Sequence, residues 1–414
     1  MQQAVKKIFI KKPRENMYYN TFKDTKLSGL GFGTMRLPTD ETGRIDEQKT
    51  AEMVDLAIQS GVNYFDTAFP YHGGESEIVI GKILKNYPRD SFYLATKFPG
   101  HQIRASYDPA EVFERQLEKC GVEYFDFYLL HNVYENSVGV YKDPRYGIID
   151  FFLKQKELGR IKHLGFSSHA RPGTLADFLD YTDGAMEFCQ IQLNYLDWTL
   201  QQANEKYDVL CDYGIPVWVM EPVRGGKLAN LGKSFNEKLE SLHQGESVAS
   251  WAFKYLQRFP EVKMILSGMS DIAQVKDNLK TFNERLPLDD KETDLLYKIA
   301  EKLKNSIPCT GCRYCCMGCP KHLDIPLLLA AYNDIRFSKE GGMTAAMQME
   351  ALDKSQLPSA CISCGACART CPQNIDVPKE LKEFSAVLEQ MPKWADICKK
   401  REEAEKSQLN AEKS

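Results

Sequence analysis

The sequence lacks any run of about 18 apolar residues, so it contains no candidate transmembrane helix. Its first residues, Met1 to Lys12, also lack the long apolar stretch and small-residue cleavage site of a secretory signal. There is no excess of positive charge, since the net charge is −4 and the pI is near 6.1. Such a balance does not favour nucleic acid or an anionic membrane as a partner. We expect a cytoplasmic protein that binds small molecules or other proteins.

Cysteine is scarce in the first 308 residues, where only Cys120, Cys189 and Cys211 occur. By contrast, nine of the thirteen cysteines lie between 309 and 371. Such clustering favours metal binding over a disulfide framework. We expect the isolated cysteines, Cys398 included, to be inert, as most free cysteines are.

Short β-rich apolar runs alternate with longer segments of helical periodicity from about residue 27 to 282. This alternation is typical of strand–helix units around a parallel sheet. The candidate strands are 27–33, 63–66, 92–97, 125–130, 161–166, 188–193, 216–220 and 264–266. Eight such units predict an α/β fold, a closed (β/α)8 TIM barrel, rather than an open doubly wound sheet.

The changes of composition along the chain predict five segments. We expect an N-terminal extension at 1–16, the barrel at 17–286 and a helical linker at 287–305. A small, mostly helical domain built around the cysteines then occupies 306–398, and the Lys- and Glu-rich residues 399–414 form a charged tail.

Two cysteine runs, at 309–320 and 361–372, share the pattern C-x2-C-x2-C-x3-C-P. In ferredoxin-type runs of this form, three close thiolates hold one 4Fe-4S cluster and the fourth thiolate holds the other cluster. The expected ligand sets are therefore crossed: Cys309, Cys312, Cys315 and Cys371 for one cluster, and Cys361, Cys364, Cys367 and Cys319 for the second. Cys316 is surplus. Two zinc sites remain an alternative, because tetrahedral thiolate sites also use C-x2-C pairs.

Polar residues stand at the ends of three successive predicted strands. Asp66 ends one strand and is followed by Tyr71 in a glycine-containing loop, Lys97 ends the next strand, and His131 ends the third. Active sites of barrels lie at the carboxyl ends of the strands, so we predict these four residues to be catalytic. A nearby ammonium favours the phenolate form of a tyrosine, whose pKa is ordinarily about 10. Asp66 would pair with Lys97 and fix its position.

The chain from about Met17 to Phe282 resembles the aldo-keto reductase family. The resemblance rests on the four residues above, G-F-G-T-M-R-L-P at 31–38, L-G-F-S-S at 164–168, Q-I-Q-L-N at 190–194 and S-G at 267–268. It implies that a carbonyl substrate accepts hydride from NADPH or NADH while Tyr71 delivers a proton and His131 orients the carbonyl. Ser167 and Gln190 match positions that hold the nicotinamide carboxamide. The cofactor-binding residues implied by the resemblance are Gly33, Thr34, Met35, Asp66, Ser167, Ser168, Gln190, Met220, Gly225, Ser267, Ser270, Gln274 and Asn278.

The chain departs from the family pattern at three cofactor positions. Ser168 stands where many members have Asn, and Met220 where an aromatic residue commonly stacks on the nicotinamide. Gln274 occupies the place of the arginine that often grips the 2′-phosphate of NADPH, so the choice between NADPH and NADH stays open. Lys276 or Arg224 could replace the lost charge. The 221–228 segment and the cysteine tail resemble the iron-sulfur-containing branch of the family.

These observations predict a nicotinamide-dependent reductase of an aldehyde or ketone, or the reverse alcohol dehydrogenase. Because nicotinamide exchanges two electrons and a 4Fe-4S cluster passes one, direct coupling would need a flavin or a similar intermediate, and structural clusters are the simpler hypothesis. The alternative is an electron-transfer or redox-sensing protein, served by a ferredoxin- or flavodoxin-like carrier, whose barrel binds a partner or a flavin. A third possibility is a reductase whose cysteine domain is held together by zinc and serves for interaction with other molecules. The sequence does not indicate the substrate.

Overall fold

The computed structural model describes residues 17–101, 108–303, 307–337, 349–350 and 352–391. The predicted extension at 1–16, the charged tail at 399–414 and Cys398 lie outside the described residues. The chain divides into two compact units, Met1–Glu301 and Lys302–Ser414. The division falls within the segment that the sequence predicts as a linker. Within the described ranges, no helix is both long and apolar enough to cross a membrane.

Unit 1 is a closed barrel of eight parallel strands in the order β10-β3-β4-β5-β6-β7-β8-β9. The strands are β3 Leu30–Gly33, β4 Tyr64–Asp66, β5 Tyr93–Phe98, β6 Phe125–Val133, β7 Ile161–Ser168, β8 Cys189–Gln192, β9 Val217–Met220 and β10 Val262–Gly268. Each of the eight candidate strands overlaps one of them, so the predicted barrel is confirmed. Since the strands are parallel, their carboxyl ends meet on one face of the barrel.

An antiparallel hairpin that the sequence analysis missed precedes the barrel. It pairs β1 Tyr19–Phe22 with β2 Thr25–Ser28. The single strand expected at 27–33 was wrong: the structure divides it between β2 and β3 at Gly29, where a Cβ would lie 2.2 Å from the ring of Tyr18. The hairpin places Phe22 edge-on against Trp218 in the barrel interior, with 5.0 Å between ring centroids.

Aromatic and other apolar side chains fill the amino-terminal part of the barrel interior. Tyr64, Phe127, Phe188, Trp218 and Met264 belong to one cluster and are fully buried. Barrel interiors are packed in layers of side chains and do not form a pore. The polar side chains of the strands are therefore found towards the carboxyl ends.

Helices surround the barrel, and their ends follow local sequence signals. In the helix Pro109–Cys120, Asp108 accepts hydrogen bonds from two first-turn amides, proline stands in the first turn, and Gly121 ends the helix at φ 63. The helices of this unit are α1 Glu47–Gln59, α2 Glu75–Leu84, α3 Pro109–Cys120, α4 Val138–Lys142, α5 Ile148–Glu157, α6 Pro172–Thr182, α7 Asp197–Leu200, α8 Ala203–Asp212, α9 Lys233–Leu242, α10 Val248–Leu256, α11 Ile272–Thr281 and α12 Asp290–Leu303. Short 3-10 segments lie at Tyr71–Gly74, Arg89–Ser91 and Arg224–Ala229.

Unit 2 is a mostly helical domain made of two similar halves. Its helices are α13 Tyr314–Met317, α14 Ile325–Phe337, α15 Ala366–Arg369 and α16 Val377–Gln390, with 3-10 segments at Lys354–Gln356 and Pro358–Ala360. Equivalent positions are 52 residues apart, as Cys309 and Cys361 are. Tyr332 of the first half stacks on Phe384 of the second, with ring centroids 5.0 Å apart. The two halves therefore share one apolar core.

Candidate active site

Lys97 and Asp66 form a buried ion pair at the carboxyl ends of the neighbouring strands β5 and β4. The Lys97 Nζ lies 2.5 Å from the Asp66 Oδ1 and also donates to the backbone oxygen of Thr67 at 2.7 Å. The Lys97 side chain is fully buried. Parallel pairing of β4 with β5 brings the two strand ends together, so the predicted pairing is present in the structure.

Tyr71 and His131 complete the group. The Lys97 Nζ lies 5.1 Å from the centroid of the Tyr71 ring. The rings of Tyr71 and His131 are 6.0 Å apart at an interplanar angle of 83°. Tyr71 begins a 3-10 segment in which His72 and Gly73 have positive φ, and this turn carries the chain back over the strand ends. The structure therefore brings together all four residues that the sequence predicts to be catalytic.

Burial controls the charge state of this group. Loss of solvation lowers the pKa of the Lys97 ammonium, and the Asp66 carboxylate opposes that shift. Burial also holds the pKa of His131 well below its usual range, with a further contribution from His101 and from the Lys97 charge. His131 is therefore neutral at neutral pH, so its ring offers hydrogen bonding and no positive charge.

Ser167 and Gln190 are register partners on β7 and β8. The Ser167 Oγ accepts a hydrogen bond from the amide of Asn132 at 2.8 Å, so its own hydrogen is still available to donate. The Oε1 of Gln190 is buried and has no hydrogen-bond partner among the described residues. A hydroxyl donor beside a buried amide acceptor fits a carboxamide group, which itself both accepts and donates. The residues present therefore fit a nicotinamide.

The residues predicted to hold the rest of the cofactor lie at the ends of β3 and β10. A Cβ at Gly33 would lie 3.2 Å from the backbone oxygen of Ser267. The Nδ2 of Asn278 donates to the Ser267 Oγ at 2.9 Å, and the amide of Ser270 donates to the Gln274 Oε1 at 2.9 Å. Hydrogen bonds of these side chains therefore link the end of β10, the loop that follows it and the helix α11.

Four further residues predicted to contact the cofactor are Thr34, Met35, Met220 and Gly225. Thr34 is fully buried, and its hydroxyl donates to the backbone oxygen of Asp66 at 2.9 Å. Met35 and Met220 are half-buried at the ends of β3 and β9. Gly225 has φ 64, a conformation that favours glycine, in the turn after β9.

The cysteines of unit 2 line two separate cavities. One cavity, of about 330 Å³, is lined by Cys319, Cys361, Cys364 and Cys367. The other, of about 310 Å³, is lined by Cys309, Cys312, Cys315 and Cys371. Each cavity thus draws three cysteines from one run and one from the other, in the division that the sequence predicts.

In each cysteine run, a backbone amide donates a hydrogen bond to the sulfur of the first cysteine. The amide of Gly311 donates to the Cys309 Sγ at 3.4 Å, and the amide of Ser363 donates to the Cys361 Sγ at the same distance. Amide hydrogen bonds to sulfur are one of the means by which proteins tune iron-sulfur clusters. Within the described residues, no group of three or more His, Cys, Asp or Glu side chains is arranged to hold one metal ion.

Comparison with known proteins agrees with both units. Residues 29–301 match the model of the aldo/keto reductase family, and residues 308–375 match that of a 4Fe-4S dicluster domain. The chain belongs to the aldo-keto reductase family.

Among its relatives is an NADH-specific methylglyoxal reductase of Escherichia coli, 24% identical over 68% of this chain and 97% of the relative. The oxidoreductase YqkF of Bacillus subtilis is 26% identical over 63% of this chain and 89% of the relative. The solved aldo-keto reductase AKR11C1 of Bacillus halodurans superimposes with a TM-score of 0.56 at 28% identity, covering 68% of this chain and 96% of that structure.

The structure shows the contacts of Ser168, one departure from the family pattern, and of Arg224, one candidate to replace the lost charge. The Ser168 hydroxyl donates to the backbone oxygen of Val133 at 2.8 Å and accepts from the amide of Ala170 at 3.0 Å, so it orders a turn. Arg224, considered as a substitute for the missing phosphate-binding arginine, is fully buried and pairs with Asp197 at 3.0 Å. The Arg224 guanidinium is therefore bonded to Asp197 inside the protein and does not face solvent.

Arg36 and His101 contact residues at or next to the predicted site, and sequence reasoning did not single them out. Arg36 pairs with Glu221 at 3.5 Å, and its side chain covers Gly268, where a Cβ would lie 3.3 Å from the arginine Cγ. The ring centroid of His101 lies 4.4 Å from that of His131. The position of Arg36 in the 31–38 motif was a signal for its importance. His101 follows β5 in a loop, and the sequence carried no comparable signal.

Proposed function

We propose that this aldo-keto reductase catalyses the reversible reduction of an aldehyde or ketone by NADH or NADPH. The observation that supports this reaction most strongly is the buried Lys97–Asp66 pair beneath the ring of Tyr71. When bound, the reduced nicotinamide supplies the hydride. Ser167 and Gln190 would hold its carboxamide, for which the buried Gln190 oxygen is an open acceptor.

Tyr71 donates the proton that the carbonyl oxygen needs as it becomes a hydroxyl. The Lys97 ammonium stabilises the phenolate that remains, because opposite charges at short range favour the ionised form. Asp66 keeps the ammonium in position. His131, being neutral, orients the carbonyl oxygen towards Tyr71 through a hydrogen bond.

Gln274 supports a preference for NADH. An amide in place of the arginine cannot supply the charged, two-pronged hydrogen bonds that grip a 2′-phosphate, and the Gln274 Oε1 is already bonded to the amide of Ser270.

The Escherichia coli relative is named as NADH-specific. Its named substrate, methylglyoxal, is therefore a reasonable first compound to test on this protein.

The cysteine domain, in our proposal, holds two 4Fe-4S clusters. The lining of its two cavities supports the ligand sets Cys309, Cys312, Cys315 and Cys371 for one cluster and Cys319, Cys361, Cys364 and Cys367 for the other. Such clusters exchange one electron at a time.

The test is an anaerobic preparation examined by iron and sulfide analysis, by its visible spectrum and by turnover. We expect about eight iron atoms per chain for two clusters, and oxidation of NADH by members of a panel of small aldehydes that includes methylglyoxal. Loss of turnover in Tyr71→Phe with intact iron content would assign the reaction to the barrel. A colourless protein, or carbonyl reduction that persists in Tyr71→Phe, would contradict the corresponding part of the proposal.

A further inference from the structure

The two similar halves of the cysteine domain are not equally exposed. Thr310 of the first run is 4% exposed, whereas the equivalent Ile362 of the second run is 57% exposed. Cys312 is half-buried, but the equivalent Cys364 is exposed. The second run therefore presents more of its side chains to solvent than the first run does.

The same asymmetry applies to the residue that follows the Cys-Pro end of each run. Gln373, which lines the first-run cavity, is 5% exposed. Its equivalent is Lys321, which is exposed and lines the second-run cavity. The first-run cavity thus has a buried neutral amide at the position where the second-run cavity has an ammonium exposed to solvent.

Two basic side chains, Lys321 and Arg369, lie at the cavity lined by the second run. Lys321 lines it, and the exposed Arg369 donates from Nη1 to the backbone oxygen of Cys364 at 3.4 Å. None of the described residues lining this cavity is acidic. Two carboxylates of the same domain form ion pairs with other arginines: Asp324 pairs with Arg313, and Glu380 pairs with Arg336. Among the described residues, neither Lys321 nor Arg369 forms an ion pair, and both are exposed to solvent.

We infer that the face formed by Lys321, Ile362, Cys364 and Arg369, here called the port face, docks a small acidic protein that carries single electrons. The inference rests on the proposed 4Fe-4S cluster in the cavity lined by Cys319, Cys361, Cys364 and Cys367. The port face combines one exposed apolar residue with two basic residues, a composition that suits a transient interface. Charge speeds the encounter, and the apolar contact adds modest affinity.

A cluster held by Cys319, Cys361, Cys364 and Cys367 would exchange one electron in each encounter at the port face. The reduced carrier would lose that electron and the oxidised cluster would gain it, with no bond formed or broken and no proton transferred. NADH does not suit this face, because it gives up two electrons together as a hydride.

The test uses anaerobically purified, cluster-containing full-length protein and a reduced, acidic flavodoxin as the probe. Stopped-flow absorbance follows oxidation of the flavin and bleaching of the clusters at several ionic strengths. Lys321→Glu combined with Arg369→Glu should lower the second-order rate constant at low salt by about tenfold or more, because steering by charge is of that size. The wild-type rate should fall as salt is added.

Lys291→Glu combined with Lys298→Glu is the matched control. It makes the same change in net charge on exposed positions of helix α12 and should leave the rate near that of wild type. Iron content, reduction by dithionite and the cluster midpoint potential, measured for each variant, show whether the clusters are present and equally reducible. Ile362→Thr, which copies the equivalent residue Thr310, should weaken docking while the salt dependence remains.

Three results would overturn the inference. A protein without iron would overturn the proposed clusters and the port face together. A cluster-containing port-face variant with an unchanged rate would overturn the port face alone and leave the proposed function intact. Sedimentation that shows a wild-type dimer, dissociated by the port-face substitutions, would assign the face to a second copy of the chain.

Discussion

Replacement of Lys97 by Met tests the buried ion pair at the centre of the barrel. Methionine keeps the length and apolar stem of lysine but removes the ammonium, which lies 2.5 Å from Asp66 and 2.7 Å from the oxygen of Thr67. Asp66 is 3% exposed, and its second oxygen has no hydrogen-bond partner among the described residues. The substitution therefore leaves a carboxylate buried without a compensating charge.

We expect Lys97→Met to lower the free energy of unfolding by about 3–5 kcal/mol, the range found when one partner of a buried pair is removed. The cost should depend on pH. Burial raises the pKa of Asp66, and Lys97 opposes that shift, so without Lys97 the pKa rises further. A carboxyl whose pKa is higher in the folded state destabilises the fold above that pKa. The deficit should therefore shrink as the pH falls from 7 to 5.

Urea denaturation followed by tryptophan fluorescence measures the effect, since Trp198, Trp218 and Trp251 lie in the barrel. Lys82→Met is the control, because Lys82 pairs with Glu47 at the surface and such pairs contribute about 0–1 kcal/mol.

Asp66→Asn combined with Lys97→Met should recover much of the lost stability, because no charge is left buried, but not the turnover. Turnover should fall by about 10²- to 10⁴-fold, the usual size of an acid–base contribution. A Lys97→Met protein with wild-type stability at pH 7 would refute the reasoning.

Four further outcomes are expected. Tyr71→Phe should lower kcat by about 10²- to 10⁴-fold with little change in NADH binding measured by fluorescence titration. Gln274→Arg should raise kcat/KM with NADPH relative to NADH, and an unchanged ratio would show that this position does not meet the 2′-phosphate. Gly81→Ala should destabilise the barrel by about 1–3 kcal/mol, because its Cβ would lie 2.3 Å from the backbone oxygen of Cys120, whereas Gly139→Ala, which meets nothing within 4 Å, should not. Burial raises the pKa of Glu187, but hydrogen bonds from a histidine and two lysines hold it well below its usual range. The loss of stability in Glu187→Gln should therefore be complete at pH 7, begin to shrink below about pH 4, where the carboxyl is protonated in the unfolded chain, and disappear only after the pH has fallen through the low pKa of the folded state.

The four central residues could be predicted because a parallel barrel turns a local pattern into a spatial one. Asp66, Lys97 and His131 each end a strand, and strand ends of a barrel share one face. The position of Tyr71 depended on more, since the turn through His72 and Gly73 has positive φ. A glycine-containing loop suggested a turn there, but not its direction.

The failures of sequence reasoning concern contacts between distant segments. The apolar run 27–33 reads as one strand, and only the packing of Tyr18 against Gly29 shows why it divides. Similarly, the Arg36–Glu221 pair joins residues 185 positions apart, and neither residue has a local pattern that names its partner.

By itself, the sequence determined the barrel, the four residues that meet at its strand ends and the cysteine domain, because strand periodicity, strand-end residues and C-x2-C spacing are all local features. Only the tertiary structure decided how buried each group is. The low pKa of His131 results from side chains on several elements. Likewise, Thr310 and Ile362 follow the first cysteines of two matching runs, yet one is buried and the other exposed. Burial depends on what the rest of the chain places over a residue, and no local pattern records that.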